Sequence, residues 1–319
     1  MWDEFRAFLK LHYMREDPEI LGPLKRDFLL GKIQEQGQSA GSLIKCSYSE
    51  AQGWGSSETT REAFILKDSL FKFWFIGFVE GKGSFIINKD DCLVFKITQS
   101  SLDAQVLFNI KKSLAFGLVR VQDKKNNTHC YRVEDKQGLF KIISIFNGNL
   151  FLDSQKEQFK LWLAAYNYKY KENITYLDNN KKPGLSNSWL SGFTDASGCF
   201  TCSTLDKPIK GTSVKLSYIL TQKGNYEQIQ FLANILRGHT HLMDNDSGYN
   251  MTVNTTKLAL TVKYLDLYPL KTKKHIVYFN WNKIYKLIVG RSQKKPLTLD
   301  DLSLIKRYNK NLNRLAKIP

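Results

Sequence analysis

Residues 74–85 read WFIGFVEGKGSF and residues 189–200 read WLSGFTDASGCF. Trp74, Gly77, Phe78, Glu80, Gly83 and Phe85 recur as Trp189, Gly192, Phe193, Asp195, Gly198 and Phe200, each pair 115 residues apart. An ordered match at this many positions marks an internal repeat, and a repeat sets the architecture before any single element is read. The two copies also continue alike. Each has a strand-like segment ending in Thr-Gln (Thr98-Gln99, Thr221-Gln222) and later a helical stretch anchored by Trp162 or Trp281.

Outward from the motif, each copy patterns as helix, two strands, helix, two strands, helix. Strand alternation falls on 84–88, 93–99, 118–122 and 130–134, with Asn126-Asn127 as a turn, and helical periodicity on 102–115 and 139–146. The second copy matches with strands at 200–205, 215–222, 241–244 and 250–254 and helices at 226–236 and 257–265. The fold class expected is α+β, a pseudo-two-fold pair of αββαββα units with an N-terminal extension. The domains are residues 1–65 (helical to 36, then a Gly/Ser/Thr-rich linker over 37–63), 66–180 and 181–319.

The motif segment itself predicts a helix over 69–79 capped by Asp68, with Ser186 or Asn187 capping its twin. The first is apolar on nearly every face, so it is buried all round. A glycine inside a helix costs about 1 kcal/mol against alanine. Gly77 and Gly192 therefore point to close approach of two backbones, the motif helices packed on each other. Such packing brings Glu80 and Asp195 together at two negative helix ends, where two carboxylates repel. Divalent cations relieve that conflict, and an all-oxygen site favours magnesium, with manganese or calcium able to occupy it. Metal-assisted phosphodiester hydrolysis is the chemistry expected.

Charge points the same way. The chain has a formal net charge of +17. Residues 1–65 carry 8 Lys/Arg against 10 Asp/Glu and the remainder 39 against 20, so the repeats hold the whole excess. A polyanion is the expected partner. No stretch reaches the roughly 18 apolar residues of a membrane span, and the acidic N-terminus fits neither a signal nor a transit peptide. Cys199 and Cys202 lack a second pair to make a zinc site. His239 and His241 lack a third ligand, so polar contact is expected of them.

On FIGFVEGKG (75–83) and LSGFTDASG (190–198) the chain resembles the LAGLIDADG homing endonucleases, in their single-chain, two-motif, organellar intron-encoded form. The resemblance spans about residues 66–319. It implies a monomeric saddle of antiparallel sheets over double-stranded DNA, an organellar setting, and double-strand cleavage of a long asymmetric target leaving short 3′ overhangs. It implies metal at Glu80 and Asp195 with the carbonyls of Val79 and Thr194, and catalytic roles for Gln99, Gln222 and Lys274. The first-repeat counterpart of that lysine falls at Gln155 or Lys156. Strand parity puts Lys82, Ser84, Ile86, Asn88, Lys96, Arg120, Cys130, Arg132 and Glu134 toward DNA in the first repeat. In the second it puts Ser197, Cys199, Thr201, Ser203, Lys215, Ser217, Ile219, His241, Asn250 and Thr252 there. The alternative is an intron RNA maturase on the same scaffold. Retention of both acids is the feature expected to separate a nuclease from an RNA binder.

Overall fold

The computed structural model describes residues 58–178, 182–207, 211–243, 248–290 and 297–316. The first 36 residues and most of the expected linker lie outside them. Helix α1 (Glu58–Lys82) opens the first repeat, followed by β1 (Gly83–Ile87), β2 (Leu93–Ser100), α2 (Gln105–Leu114), β3 (Leu118–Asp123), β4 (Thr128–Val133), α3 (Lys136–Phe146) and α4 (Asp153–Tyr170). The second repeat runs α5 (Trp189–Ser197), β5 (Gly198–Lys207), β6 (Gly211–Gln222), α6 (Tyr226–Leu236), β7 (His239–Leu242), β8 (Tyr249–Asn254), α7 (Ala259–Leu267), α8 (Lys274–Val289) and α9 (Leu299–Ala316). Both repeats form a four-stranded antiparallel sheet in the same order, β1-β2-β4-β3 and β5-β6-β8-β7.

Two expectations need correcting. Asp68 lies inside α1, which begins ten residues earlier at Glu58 and takes in the end of the expected linker. The expected 102–115 helix is a short 3-10 turn (Ser101–Asp103) followed by α2, which ends on Ala115 in the left-handed conformation. In the second repeat, Asn187 Oδ1 does accept the amide of Trp189 at the start of α5.

The contact between α1 and α5 organises the molecule. A Cβ built on Gly77 would sit 1.9 Å from the Trp189 carbonyl oxygen, and one on Gly192 would sit 1.9 Å from that of Trp74. Each glycine thus lets the other helix's backbone pass where a methyl group would stand. Trp74, Phe75, Ile76, Phe78 and Val79 are buried on one helix and Trp189, Leu190 and Phe193 on the other. That accounts for an apolar stretch buried on every side.

Each sheet has one face on its repeat's helices. In the first, Phe85 opposes Phe95, which opposes Val133, and Ile97 opposes Tyr131. Phe85 packs edge-on against Phe146 and Phe159 and lies beside Trp162. In the second, Phe200 lies against Tyr218, Tyr278 and Trp281. The opposite faces carry the polar residues of the alternation.

The repeats also cap one another. Asp103 Oδ1 accepts the Lys273 amide at the start of α8 (3.1 Å), and Asn225 Oδ1 accepts the Ser154 amide at the start of α4 (3.0 Å). Helix caps of this kind contribute about 1 kcal/mol each.

Gly77→Ala and Gly192→Ala should each destabilise by about 3 kcal/mol or more, since the obstacle is backbone that cannot swing aside. Gly184→Ala, where a Cβ meets nothing nearer than 3.8 Å, should stay within about 0.5 kcal/mol. Denaturant melts of the three variants measure this, and equal losses at all three positions would contradict it.

Candidate active site

The two motif acids lie where the helices end, as expected, but neither faces outward. Glu80 and Asp195 are each 1% exposed. Glu80 accepts the backbone N–H groups of Phe151 (2.5 Å) and Leu152 (2.9 Å). Asp195 Oδ2 accepts from Trp74 Nε1 (2.8 Å) and the Lys271 amide (2.7 Å). Its Oδ1 accepts from the Thr272 amide (3.2 Å) and Thr272 Oγ1 (2.5 Å). The indole of Trp189 supports the charged form of Glu80 as Trp74 does for Asp195. Each carboxylate therefore closes a loop of its own repeat and takes a tryptophan N–H from the other. Burial is the dominant influence on both and raises both pKa values, that of Glu80 to about 8.

A carboxylate offers about four lone-pair sites; Asp195 uses all four, whereas Glu80, with two amides and an indole, uses three. Val79 and Thr194 are fully buried, and Thr194 O already accepts from Lys274 Nζ (3.1 Å) and from the Gly198 amide. Among the described residues no group of three or more His, Cys, Asp or Glu could hold a metal ion.

The side chains that reach the space between the two sheets are different ones. Lys82 Nζ donates to Gln99 Oε1 (2.8 Å), and Gln99 Nε2 donates to Asp103 Oδ2 (3.0 Å). Lys274 Nζ reaches the Thr194 and Ala196 carbonyls (3.1 and 3.3 Å). Burial first, and then the nearby Lys82 charge, push the Lys274 ammonium down to about 8; burial lowers Lys82 too, with Asp103 opposing. Gln222 is half-buried at the end of β6. Lys156 lies near enough to Glu80 to favour its charged form. Its ammonium pairs with Asp178 (3.3 Å) and Asp153 (3.8 Å), while Gln155 turns inward to the Gly83 carbonyl (3.3 Å).

Register places the expected DNA-facing residues on the sheet faces away from the helices. Ser84, Lys96 and Arg132 form one row and Cys130 joins Arg120 in the next, with Ile86 opposite Val94. In the second sheet the rows are Cys199–Ile219–Thr252, Thr201–Ser217, Ser203–Lys215 and Asn250–His241. Several need correction. Cys130, Ser217 and Thr252 have the right parity but are buried at 3, 7 and 8% exposure on central strands, under their neighbours. Asn88 lies in the β1–β2 turn, Lys82 and Ser197 belong to the ends of α1 and α5, and Glu134, past β4, is paired with Arg132. Sequence reading did not single out Gln122, which holds Thr98 (2.8 Å), nor Asp103 and Thr272, which have no repeat signature. Trp74 and Trp189 were visible in the motif, but only as core.

The sequence matches the family described as LAGLIDADG endonuclease over residues 75–166 and 190–285. The chain belongs to that family. It is 60% identical over 97% of its length to the "Probable intron-encoded endonuclease 4" of Neurospora crassa, of which it spans 55%. It is 26% identical over 72% of its length to "Intron-encoded RNA maturase bI4" of Saccharomyces cerevisiae, covering 35% of that protein. Its fold superposes on the I-LtrWI LAGLIDADG homing endonuclease, solved bound to target DNA, with a TM-score of 0.65 at 21% identity, covering 76% of this chain and 98% of that one. The family generally uses divalent metals.

Asp195→Asn must turn an N–H₂ toward at least one N–H donor, and should cost about 1–3 kcal/mol of stability. Thermal melts in EDTA measure this, and an unchanged melting temperature would contradict it. For Glu80 the sign is also fixed. A folded-state pKa of about 8, above its usual 4.5, means the native state holds a proton that the unfolded state has lost. Its contribution to stability therefore falls as pH rises from the usual carboxylate range to about 8. Glu80→Gln should flatten that part of the stability profile, and an unchanged slope would contradict the assignment.

Proposed function

We propose that this chain recognises a long, asymmetric DNA duplex in the manner of a homing endonuclease, acting as a monomer with one sheet on each half-site. The observation that supports this best is the pair of polar faces, matched in strand order and different in side chains. Lys96, Arg120 and Arg132 line one; Thr201, Lys215, His241 and Asn250 line the other. A pair of antiparallel strands fits the major groove, where each base pair shows a distinct donor and acceptor pattern. Two unlike faces call for two unlike half-sites. The relatives named as intron-encoded, one of them from a cox1 intron of Schizosaccharomyces pombe, support expression from an organellar intron, and a mitochondrial one.

Membership of the endonuclease family and the 60% identity to a probable intron-encoded endonuclease support cleavage of that duplex as well as its recognition. The likeness to an intron-encoded RNA maturase favours a second reading, assistance of intron RNA splicing. Both acids serve the fold whichever polyanion is bound, so their retention no longer separates nuclease from RNA binder.

Selection of bound duplexes from a randomised library should enrich one asymmetric sequence. Arg132→Ala should then relax preference at one position of one half-site and cost about 1–3 kcal/mol of binding. Enrichment of a palindrome, or of no duplex at all, would sink the DNA reading. Preferential competition by the structured intron RNA would move the assignment to splicing.

A further inference from the structure

We infer that the outer face of the last two helices, α8 and α9, is a second nucleic-acid surface that takes single-stranded segments of RNA, with Phe279 as the ring on which an unpaired base stacks. The inference rests on the splicing reading and gives it a site of its own, apart from the sheet faces that serve the duplex.

Helix α8 meets the second sheet with Tyr278 and Trp281, which pack on Phe200, and Trp281 Nε1 donates to the Thr201 carbonyl (3.0 Å). Its other side carries Ile276, Phe279, Lys283 and Lys286, at i, i+3, i+7 and i+10, which is a single helical face. That face points away from the sheet and from the polar residues beyond it. Helix α9 packs on α8 and buries Ile305 and Leu312. Its Tyr308 shares one cation with Phe279, since Lys283 Nζ lies 4.3 Å from the Phe279 ring centroid and 5.3 Å from that of Tyr308. Folding leaves the cluster open, with Phe279 54% exposed. The surroundings are cationic. Helix α8 has no acid, and both acids of α9 lie in its first turn, where Asp301 accepts from Thr298. Lys286 on α8 and Lys306, Arg307 and Lys310 on α9 are all exposed. An aromatic platform among cations is the composition that holds single strands, the cations on the phosphates and the ring under a base. A duplex keeps its bases stacked inside and offers Phe279 no free base plane. The unpaired loops of a folded RNA do.

The experiment uses the full chain and a fluorescent single-stranded RNA of about 12 nucleotides, within the reach of one single-strand site. Binding is read by anisotropy with and without a saturating amount of the unlabelled duplex recovered by selection. The RNA should bind the duplex-loaded protein within about threefold of its affinity for the free protein. Phe279→Ala should weaken RNA binding about tenfold, the loss of one stacked base, and leave the duplex dissociation constant within about twofold. Phe279→Trp should keep the RNA bound. Lys286→Gln and Arg307→Gln should each lower the salt slope of RNA binding by about 0.7, one phosphate contact on a single strand. All three positions are exposed, and melts check that each variant folds. Displacement of the RNA by the duplex, or RNA binding that Phe279→Ala leaves unchanged, would overturn the assignment and leave the splicing reading to the sheet faces. If the short RNA is not bound, this surface fails whatever longer RNA does. If structured intron RNA is not bound either, the splicing reading fails with it.

Discussion

Two backbones pass each other at Gly77 and Gly192, each carbonyl occupying the volume a methyl group would need. Among the described residues no other glycine meets its neighbours as closely. Because α1 and α5 touch along their main chains, Trp74 of α1 and Trp189 of α5 each reach the acid near the end of the other helix. Trp74 can donate to Asp195 only when the helices approach this closely. The acids in turn fix the loops at 150–152 and 270–272, and those loops start α4 and α8. The spacing of two glycines thus propagates into the position of four helices and of the lysine at the head of α8.

The acids therefore carry a structural burden that explains why both motif copies keep one at that place. A carboxylate is suited to it, since it can accept several N–H bonds at once and donates none when ionised. Burial works against ionisation, and for Glu80 burial outweighs two backbone donors and an indole. For Asp195 the donor set is larger, with the Thr272 hydroxyl as well as two amides and an indole. The two halves are unequal, and the stronger clamp belongs to the second repeat. Its loop also delivers Lys274, whereas the first delivers Gln155 inward and turns Lys156 toward Asp178.

The fold was legible in the chain because it was written twice. Periodicity alone places Tyr226–Leu236 correctly, and parity puts Tyr131 and Val133 in the core. Helix α1 ran further than expected, since residues 58–67 (ETTREAFILK) carry no Pro or Gly to stop it. The site was less legible. Sequence shows that an acid recurs, but not whether its oxygens are free, because the donors come from backbone amides at 151, 152, 271 and 272 that have no side-chain signature. Cys130, Ser217 and Thr252 show the same limit on the sheets. Alternation gives the face of a strand, and the bulk of cross-strand neighbours decides whether a small side chain on that face is reached at all.

A shared scaffold can keep its architecture while its centre changes chemical character. The reason is a separation of duties along a few residues of each motif. Glu80 and Asp195 point back into the helix pair and are held by the fold. Lys82 and Ser197, two residues on, stand at the helix ends beside the strands that carry the polar faces. Changes at the first pair would strain loops, caps and helix contacts together. Changes at the second pair alter the charge presented to a nucleic acid and leave the clamps untouched. For that reason the inward acids bear on the integrity of the helix pair, and the outward pair on the charge that the sheets present to a nucleic acid.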